Sequence, residues 1–356
     1  MLAVRSRAGE KKRFLCFVIG FLVVSGVLVS LSGHPYGRVE AVDHVAGAEQ
    51  TALIITNRDN FYGAHAGDKD HVWIVGYWGK IIHSSDGGKS WQIQMSPTTD
   101  PLFSVSFGDL KHGAVTGRDG LLLYTEDGGE NWQIVDNPKK VHLISMTHSD
   151  PLNVWAVGDF GTIIHSTDGG KTWQDESLQE DTILNKIYFF DAWHGWIVGE
   201  FGKILHTNDG GKNWTPQTDI TGIYKDPEVD QFGVYLYDIG FSDLQYGWAV
   251  GQAGTILFTE DGGRSWANSP TENIQTLFGI AKARGQAFAV GAVGTVMVSR
   301  NGSFDHWELR DDVVVYTWLR DISFSDPNHG WVVGGRGAIL RTEDGGRKWD
   351  VITDSD

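Results

Sequence analysis

The stretch from Trp155 to Trp173 reads W-A-V-G-D-F-G-T-I-I-H-S-T-D-G-G-K-T-W and decides the fold. Two short apolar runs flank a G-x-x-G turn, and a D-G-G turn precedes the closing tryptophan. Six other segments align with it at spacings of 41, 41, 41, 52, 40 and 43 residues. The first glycines of the G-x-x-G turns are Gly76, Gly117, Gly158, Gly199, Gly251, Gly291 and Gly334. A period of roughly 40 residues with four strand-like segments per unit is typical of propeller blades.

Each repeat predicts four strands. Leu102 to Phe107 alternates apolar and polar residues, as a half-buried strand does. Residues 114–116, 121–124 and 132–135 follow as three further strands, separated by glycine-containing turns. The sequence therefore predicts an all-β fold, a seven-bladed β-propeller of four-stranded antiparallel blades over residues 60–356. The expected blades are residues 60–95, 102–136, 143–177, 184–217, 235–268, 276–309 and 318–353.

Tryptophan supports the same interpretation, because twelve of the fifteen tryptophans recur at two positions of the repeat. Seven close the D-G-G turn and five lie on the second strand. Large rings at fixed repeat positions are expected to fill the wedge between adjacent blades rather than to form a binding cage.

Residues 349–353 supply an outer strand for the last blade, and Thr51 to Ile55 is an extra strand candidate at the seam between the last blade and the first. Which segment closes the ring is open at this point.

Charge and cysteine content exclude several classes of protein. The formal net charge is −16, and beyond residue 41 the chain carries 23 basic and 43 acidic residues, a net charge of −20. Such a surface repels polyphosphates, so nucleic acid is not expected as a partner. Cys16 is the only cysteine, which excludes a disulfide framework and a thiolate metal site. No cofactor or metal is expected, and we expect a monomer.

Residues 1–41 are interpreted as a signal peptide or signal anchor. Five basic side chains precede an 18-residue apolar run from Phe14 to Leu31. This run fits a signal-peptide core, and it is also just long enough to span a bilayer. Cleavage after Ala41 and retention as an anchor, which would tether the protein through residues 14–31, are both open. In either case we expect an exported protein, in the periplasm. Residues 42–59 form a linker that includes the candidate closing strand.

The D-G-G turn carries the motif [ST]-x-D-G-G-x-x-W, which resembles the Asp-box, or BNR, repeat of sialidases and related propellers. Short acidic side chains in turns accept hydrogen bonds from backbone N–H groups, so a structural role is predicted. Metal ligation is the competing interpretation, although one carboxylate per turn cannot surround a cation. The motif position is occupied by Asp86, Asp127, Asp168, Asp209, Asp261, Asn301 and Asp344.

The longer combination G-W-x-V-G-x-x-G-x-[IL]-[LI]-x-[ST]-x-D-G-G-x-x-W is more specific. It is almost intact at Gly195–Trp214, Gly247–Trp266 and Gly330–Trp349. It resembles the photosystem II stability and assembly factor family, the lumenal propellers of cyanobacteria and plastids, over roughly residues 60–353. The resemblance implies a non-catalytic docking factor whose partner is an integral membrane protein or its assembly intermediate. The sequence does not identify the partner or a photosynthetic host.

Partner recognition is predicted on the face that carries the G-x-x-G hairpins and the connections between blades. Aromatic side chains at three turn tips, where no core needs them, indicate a protein interface, and packing onto neighbouring loops is an equal alternative. Basic residues of blades two and seven are expected to face an acidic sector on blades three to five, which includes a long insertion at 215–234. The candidate residues are Tyr77, Trp78, Arg118, Asp159, Phe160, Glu200, Phe201, Tyr224, Arg320 and Arg336.

An Asp-box glycoside hydrolase or a polysaccharide-binding propeller is the alternative function. A glycosidase needs two carboxylates about 5–9.5 Å apart in a cleft. Asp159 and Glu200, on adjacent blades, are the best pair, but both are expected at solvated hairpin tips. A carbohydrate binder would align its exposed aromatic residues along one groove, whereas a docking factor would present them as a patch with mixed charge.

Overall fold

The computed structural model describes residues 54–217, 234–269, 271–299 and 306–353. These residues form seven four-stranded antiparallel sheets, so the predicted seven-bladed propeller is confirmed. The predicted signal or anchor helix lies outside the described residues, as do Tyr224, Asn301 and most of the linker. Among the residues that the structure describes, none belongs to a helix long and apolar enough to cross a membrane.

Every blade is a simple meander in which consecutive strands pair in order. The first strand lies nearest the centre, because the first strands of successive blades contact one another around the whole ring. The strands of blades one to four are β1 (Phe61–Ala66), β2 (Val72–Gly76), β3 (Ile81–Ser84), β4 (Gln92–Gln94), β5 (Leu102–Phe107), β6 (Gly113–Gly117), β7 (Leu122–Thr125), β8 (Gln133–Ile134), β9 (Leu143–His148), β10 (Val154–Gly158), β11 (Ile163–Ser166), β12 (Gln174–Asp175), β13 (Leu184–Phe189), β14 (Gly195–Gly199), β15 (Ile204–Thr207) and β16 (Thr215–Pro216). Those of blades five to seven are β17 (Leu236–Phe241), β18 (Gly247–Gly251), β19 (Ile256–Thr259), β20 (Ala267–Asn268), β21 (Leu277–Ala283), β22 (Gln286–Gly291), β23 (Val296–Ser299), β24 (Trp307–Leu309), β25 (Leu319–Phe324), β26 (Gly330–Gly334), β27 (Ile339–Thr342) and β28 (Asp350–Thr353).

The ring closes by packing of β25 against β1, without exchange of a strand between the ends of the chain. The chain's own C-terminal segment, β28, is the outer strand of blade seven, as predicted. Ile54 and Ile55 lie in a bend rather than a strand, and they pack against an apolar cluster shared by blades one and seven. The Ala64 amide donates to Asp321 Oδ2 at 2.9 Å across the same seam.

Tryptophan and glycine fit together at the wedge between blades. The ring of Trp155, on β10, packs with residues of the following blade, and Trp331 of blade seven packs in the same way onto blade one. A Cβ atom on Gly211, the second glycine of its D-G-G turn, would lie 2.4 Å from the Trp155 ring. A Cβ on Gly88 would lie 2.2 Å from Trp331. At these two junctions the second glycine is therefore needed to admit the ring from the preceding blade.

The two rims of the propeller carry different turns. The Tyr77 amide donates to the Asn60 carbonyl at 2.9 Å, which joins a G-x-x-G turn to the connection that enters its blade. On the opposite rim the Gly87 amide donates to the Asp70 carbonyl at 2.9 Å, which joins a D-G-G turn to the first hairpin of its blade. We call these two rims the hairpin face and the Asp-box face.

Candidate recognition face and central channel

The hairpin tips hold one side chain of each blade in a fixed outward position. In every G-x-x-G turn the residue before the second glycine has a positive φ between 53° and 59°. This left-handed conformation costs a non-glycine residue about 1–2 kcal/mol, and the hydrogen bonds on both sides of the turn maintain it. The residues are Trp78, Asp119, Phe160, Phe201, Ala253, Val293 and Arg336.

The three predicted aromatic tip residues are solvent-exposed. Trp78, Phe160 and Phe201 have exposed fractions of 69%, 61% and 59%. Tyr77 packs edge-on against Trp78, with ring centroids 5.0 Å apart. Three rigid aromatic rings on one face form a surface suited to protein contact.

The same face carries exposed apolar residues that sequence reasoning missed. The sequence gives little indication of them, because they occur in turns or connections that have no hydrophobic periodicity. They are Met95, Ile274, Val293, Val314 and Tyr316.

The predicted charged residues occupy different environments. Arg118 and Arg336 are exposed at turn tips, as expected for a basic sector. Arg320 does not lie at a tip: it is on β25 and lines the central channel, with its guanidinium carbon 5.3 Å from the centre of the Phe278 ring. Asp159 is half-buried, and burial raises the pKa of its carboxyl group.

Glu200 is not a solvated acid, contrary to the sequence-based expectation. Its side chain is buried, and Oε1 accepts a hydrogen bond from the Ile183 amide at 2.9 Å. The carboxylate therefore supports the connection that enters blade four. This structural role makes Glu200 a poor partner for Asp159 in a catalytic pair.

The central channel is nearly filled by side chains from the innermost strands. Its cavity volume is about 30 Å³. The second residue of each innermost strand lines the channel, and these residues are Tyr62, Phe103, Ile144, Asn185, Tyr237, Phe278 and Arg320.

A charged cluster crosses the channel at the next position of the strands. Lys186 Nζ lies 3.2 Å from Asp238 Oδ1 and 3.7 Å from Asp321 Oδ1. Burial alone would lower the pKa of Lys186, but Asp238 and Asp321 together raise it. Burial also raises the pKa of Asp238, and Lys186 opposes that shift.

Both aspartates also connect neighbouring blades. Asp238 Oδ2 accepts the Ile280 amide of blade six at 2.9 Å, and Asp321 makes the equivalent bond to Ala64. In blade two a serine has this role, since Ser104 Oγ accepts the Met146 amide at 3.2 Å. Sequence reasoning missed the cluster, although the third position of each innermost strand is polar or glycine throughout.

The Asp-box carboxylates are bound within their own turns. Asp168 Oδ1 accepts the Thr172 amide at 2.9 Å and the Ser166 hydroxyl at 2.8 Å, and Oδ2 accepts the Thr172 hydroxyl at 2.6 Å. The other five described Asp-box aspartates accept an amide four residues on in the same way. Among the described residues no three His, Cys, Asp or Glu side chains lie together as a metal site would require.

The geometry defines a seven-bladed Asp-box propeller with a filled channel and an apolar, charged rim. A family model for the BNR/Asp-box repeat matches residues 164–175. A second model, described as photosynthesis system II assembly factor YCF48, matches residues 47–142, 175–273 and 301–355. These segments cover more than half of the chain, which therefore belongs to the YCF48 family of photosystem II assembly factors.

Individual relatives agree with this family. The photosystem II stability/assembly factor HCF136, chloroplastic, of Cyanidioschyzon merolae is 40% identical over 74 residues, which is 17% of this chain and 17% of the relative. A structure of YCF48 bound to a D1 peptide has a TM-score of 0.65 at 21% identity, over 81% of this chain and 94% of that one. YCF48 from Cyanidioschyzon merolae has a TM-score of 0.65 at 19% identity, over 81% and 96%.

Glycoside hydrolases share the architecture. A GH74 enzyme from Niastella koreensis has a TM-score of 0.64 at 13% identity, over 83% of this chain and 54% of that chain. At these identities the structural likenesses establish the fold alone.

Proposed function

We propose that this protein is a non-catalytic docking factor that holds an integral membrane protein, or its assembly intermediate, on the hairpin face. The carrying observation is the set of exposed rings at Trp78, Phe160 and Phe201 on turns fixed by backbone hydrogen bonds. Aromatic anchors on an ordered backbone lose less conformational entropy on binding than anchors on a mobile loop, so they are effective at interfaces.

Charge on the hairpin face supports recognition of an oriented polypeptide. Arg118 and Arg336 are exposed on blades two and seven, which flank blade one, and Asp159 lies on blade three. Separated charges of opposite sign favour one orientation of a partner. The structure of YCF48 with a bound D1 peptide shows that a relative binds a peptide. By analogy, we propose that an extended segment of the membrane protein is the bound element.

The proposal includes an exported, monomeric protein that does not bind nucleic acid. The basic and apolar N-terminal sequence supports export, to a periplasm or a thylakoid lumen, with membrane tethering as an option. The curated relative is described as chloroplastic, which is compatible with the lumenal location. The acidic charge of the propeller opposes contact with polyphosphates.

A glycosidase is the second candidate, because GH74 enzymes share the architecture. Buried Glu200 and the narrow channel argue against it. The charged cluster in the channel also differs from a catalytic pair, since Lys186 lies against both carboxylates and each carboxylate accepts backbone amides.

The experiment compares partner recovery from solubilised membranes by tagged wild-type and variant proteins. The variant Trp78→Asn, Phe160→Asn, Phe201→Asn removes the rings, while asparagine tolerates the left-handed conformation. We expect recovery of the integral membrane partner to fall at least tenfold with little change in Tm. Ile134→Asn, which replaces an exposed residue of β8, is the control and should recover the partner normally. Equal recovery by the triple variant would refute the proposal.

A further inference from the structure

Glutamine side chains tie neighbouring blades together on the Asp-box face. Gln94 Nε2 of blade one donates to the Gly128 carbonyl of blade two at 2.7 Å. Gln217 Nε2 of blade four donates to the Gly262 carbonyl of blade five at 3.0 Å. Both glutamines lie three residues after the tryptophan that closes the D-G-G turn, and both acceptors are the first glycine of the next D-G-G turn.

Arginines make the same type of contact at two other junctions. Arg310 Nη1 of blade six donates to the Gly346 carbonyl of blade seven at 2.6 Å. Arg341 Nη1 of blade seven donates to the Gly87 carbonyl of blade one at 2.5 Å. We call Gln94, Gln217, Arg310 and Arg341 the junction donors.

The junction between blades three and four has no such donor. Glu176 occupies the position of Gln94 and Gln217, three residues after Trp173, and a carboxylate has no N–H to donate. No side chain among the described residues donates to the Gly210 carbonyl, the equivalent acceptor. His165, at the position of Arg341, instead places Nε2 at 3.1 Å from Asn153 Oδ1.

A groove opens where the donor is missing. Its cavity volume is about 370 Å³, within the range of small-molecule sites. The junction between blades two and three also lacks a glutamine, but apolar Val135 packs there and an ion pair joins Lys171 to Glu126. Glu176 lines the groove at the position where Gln94 and Gln217 close theirs.

The groove has both charged and aromatic walls. The Glu176 carboxylate lies 3.4 Å from His165 Nδ1, and its side chain is 33% exposed. Asp150 and Asp209 also line the groove, but their carboxylates already accept amides of their own turns, from Asn153 at 2.9 Å and Asn213 at 3.0 Å. Lys212 is the basic residue on the wall, and Trp193 lies beside it with an exposed fraction of 59%.

We propose that this groove receives an arginine side chain of a protein partner, which takes the place that the junction donors fill within the chain. A planar guanidinium has enough N–H groups to donate to the Gly210 carbonyl and the Glu176 carboxylate together. The exposed Trp193 ring provides a face for stacking of the guanidinium. This site lies on the Asp-box face, so it is separate from the proposed docking on the hairpin face.

The test measures binding of N-acetyl-arginine amide to the full propeller, with N-acetyl-citrulline amide as the neutral analogue. The reporter is the indole N–H resonance of Trp193, assigned with Trp193→Phe. We expect a saturable shift with the arginine compound and at least tenfold weaker binding of the citrulline compound. Absence of a saturable shift, or equal binding of the two compounds, would overturn the proposal.

Two substitutions at position 176 separate charge from shape. Glu176→Gln supplies a donor like Gln94, so it should close the groove, raise the Tm and weaken arginine binding at least tenfold. Glu176→Ala leaves the groove open and should weaken binding without raising the Tm. Glu130→Gln, an exposed residue of another D-G-G turn, should change neither quantity. Undiminished binding by Glu176→Gln would contradict the assignment, whereas partner recovery through the hairpin face should be unaffected by it.

Discussion

Lys186 Nζ and Asp238 Oδ1 lie 3.2 Å apart across the junction of blades four and five, beside the axis of the ring. Asp238 is almost fully buried, with 2% of its side chain exposed. Lys186 therefore neutralises a carboxylate that water does not reach, and it also approaches Asp321 of blade seven. The cluster therefore links blade seven to the neighbouring blades four and five.

Replacing Lys186 by methionine should destabilise the propeller strongly. Removing one partner of a buried ion pair costs about 3 kcal/mol or more, because the remaining charge is left unpaired. Urea unfolding measures the change. Lys348→Met breaks the exposed pair with Asp350 and should leave the urea midpoint nearly unchanged.

The loss of unfolding free energy in Lys186→Met should become smaller as the pH falls. Burial raises the pKa of Asp238, so the folded variant takes up a proton more readily than the unfolded chain and gains stability on acidification. A deficit that stays constant with pH would show that Asp238 does not carry an unpaired charge in the variant.

Acid should destabilise the wild-type protein through two partly buried histidines. Burial lowers the pKa of His65 to about 4 and that of His148 to about 3. Unfolded histidine titrates near pH 6.5, so the unfolded chain binds more protons than the folded one from there down to about pH 4. In this window, each histidine should lower the free energy of unfolding by up to about 1.4 kcal/mol for each unit that the pH falls.

His65→Phe is the matched test of this pH dependence. The imidazole packs near Trp73 and Phe107, with centroid distances of 6.3 and 5.8 Å, so a phenyl ring suits the site. Unfolding free energies measured at several pH values should have a smaller slope in this variant. Phe189→Leu removes packing without removing a titrating group, and it should lower stability to the same extent throughout. An unchanged slope in His65→Phe would contradict the prediction.

The Asp-box predicts unequal effects of two substitutions at Asp168. Asp168→Ala removes the acceptor for the Thr172 amide and should cost about 1–2 kcal/mol. Asp168→Asn keeps one carbonyl oxygen and should cost less than half as much. Thermal unfolding of the two variants decides, and equal losses would show that the charge, rather than the accepted hydrogen bond, supports the turn.

Glu200 should matter for stability but not for catalysis. Glu200→Ala leaves the Ile183 amide without its partner and should cost about 1–2 kcal/mol, whereas Glu200→Gln keeps an acceptor. The wild-type protein should not hydrolyse aryl glycosides. Hydrolysis by the wild type that disappears in Glu200→Gln would restore the glycosidase interpretation.

Charge reversal tests the basic sector of the hairpin face. Arg118→Glu combined with Arg336→Glu should reduce recovery of the membrane partner several-fold, because both side chains are exposed there. Lys89→Glu makes a similar change on the Asp-box face and should have no effect. Unchanged recovery by the double variant would remove the basic sector from the proposal.

The repeat made the architecture predictable from sequence, since local glycine and tryptophan spacings specify each blade. The predicted strand at residues 102–107 matches β5, and the exposed tips Trp78, Phe160 and Phe201 were found from the same alignment. The channel cluster was not found, because only ring closure brings Lys186 close to Asp321. Glu200 was misjudged because a turn tip can still bury its carboxylate beneath a neighbouring connection.

The groove at blade four was hidden for a related reason. Glu176 differs from Gln94 and Gln217 only in replacing an amide by a carboxylate, a change that leaves the repeat pattern intact. Its effect depends on the Gly210 carbonyl, which belongs to another blade. Such contacts between repeats are visible only after the blades are assembled.

Because the ring closes without strand exchange, every blade would stay complete if the chain began at a different connection between blades. Each sheet comes from one continuous segment, and Ile55 and Ile352 pack against the same apolar cluster at opposite ends of the propeller sequence. Circular permutants that start at another connection between blades would keep all seven sheets whole. Each connection between blades is thus an equivalent place at which to open the ring.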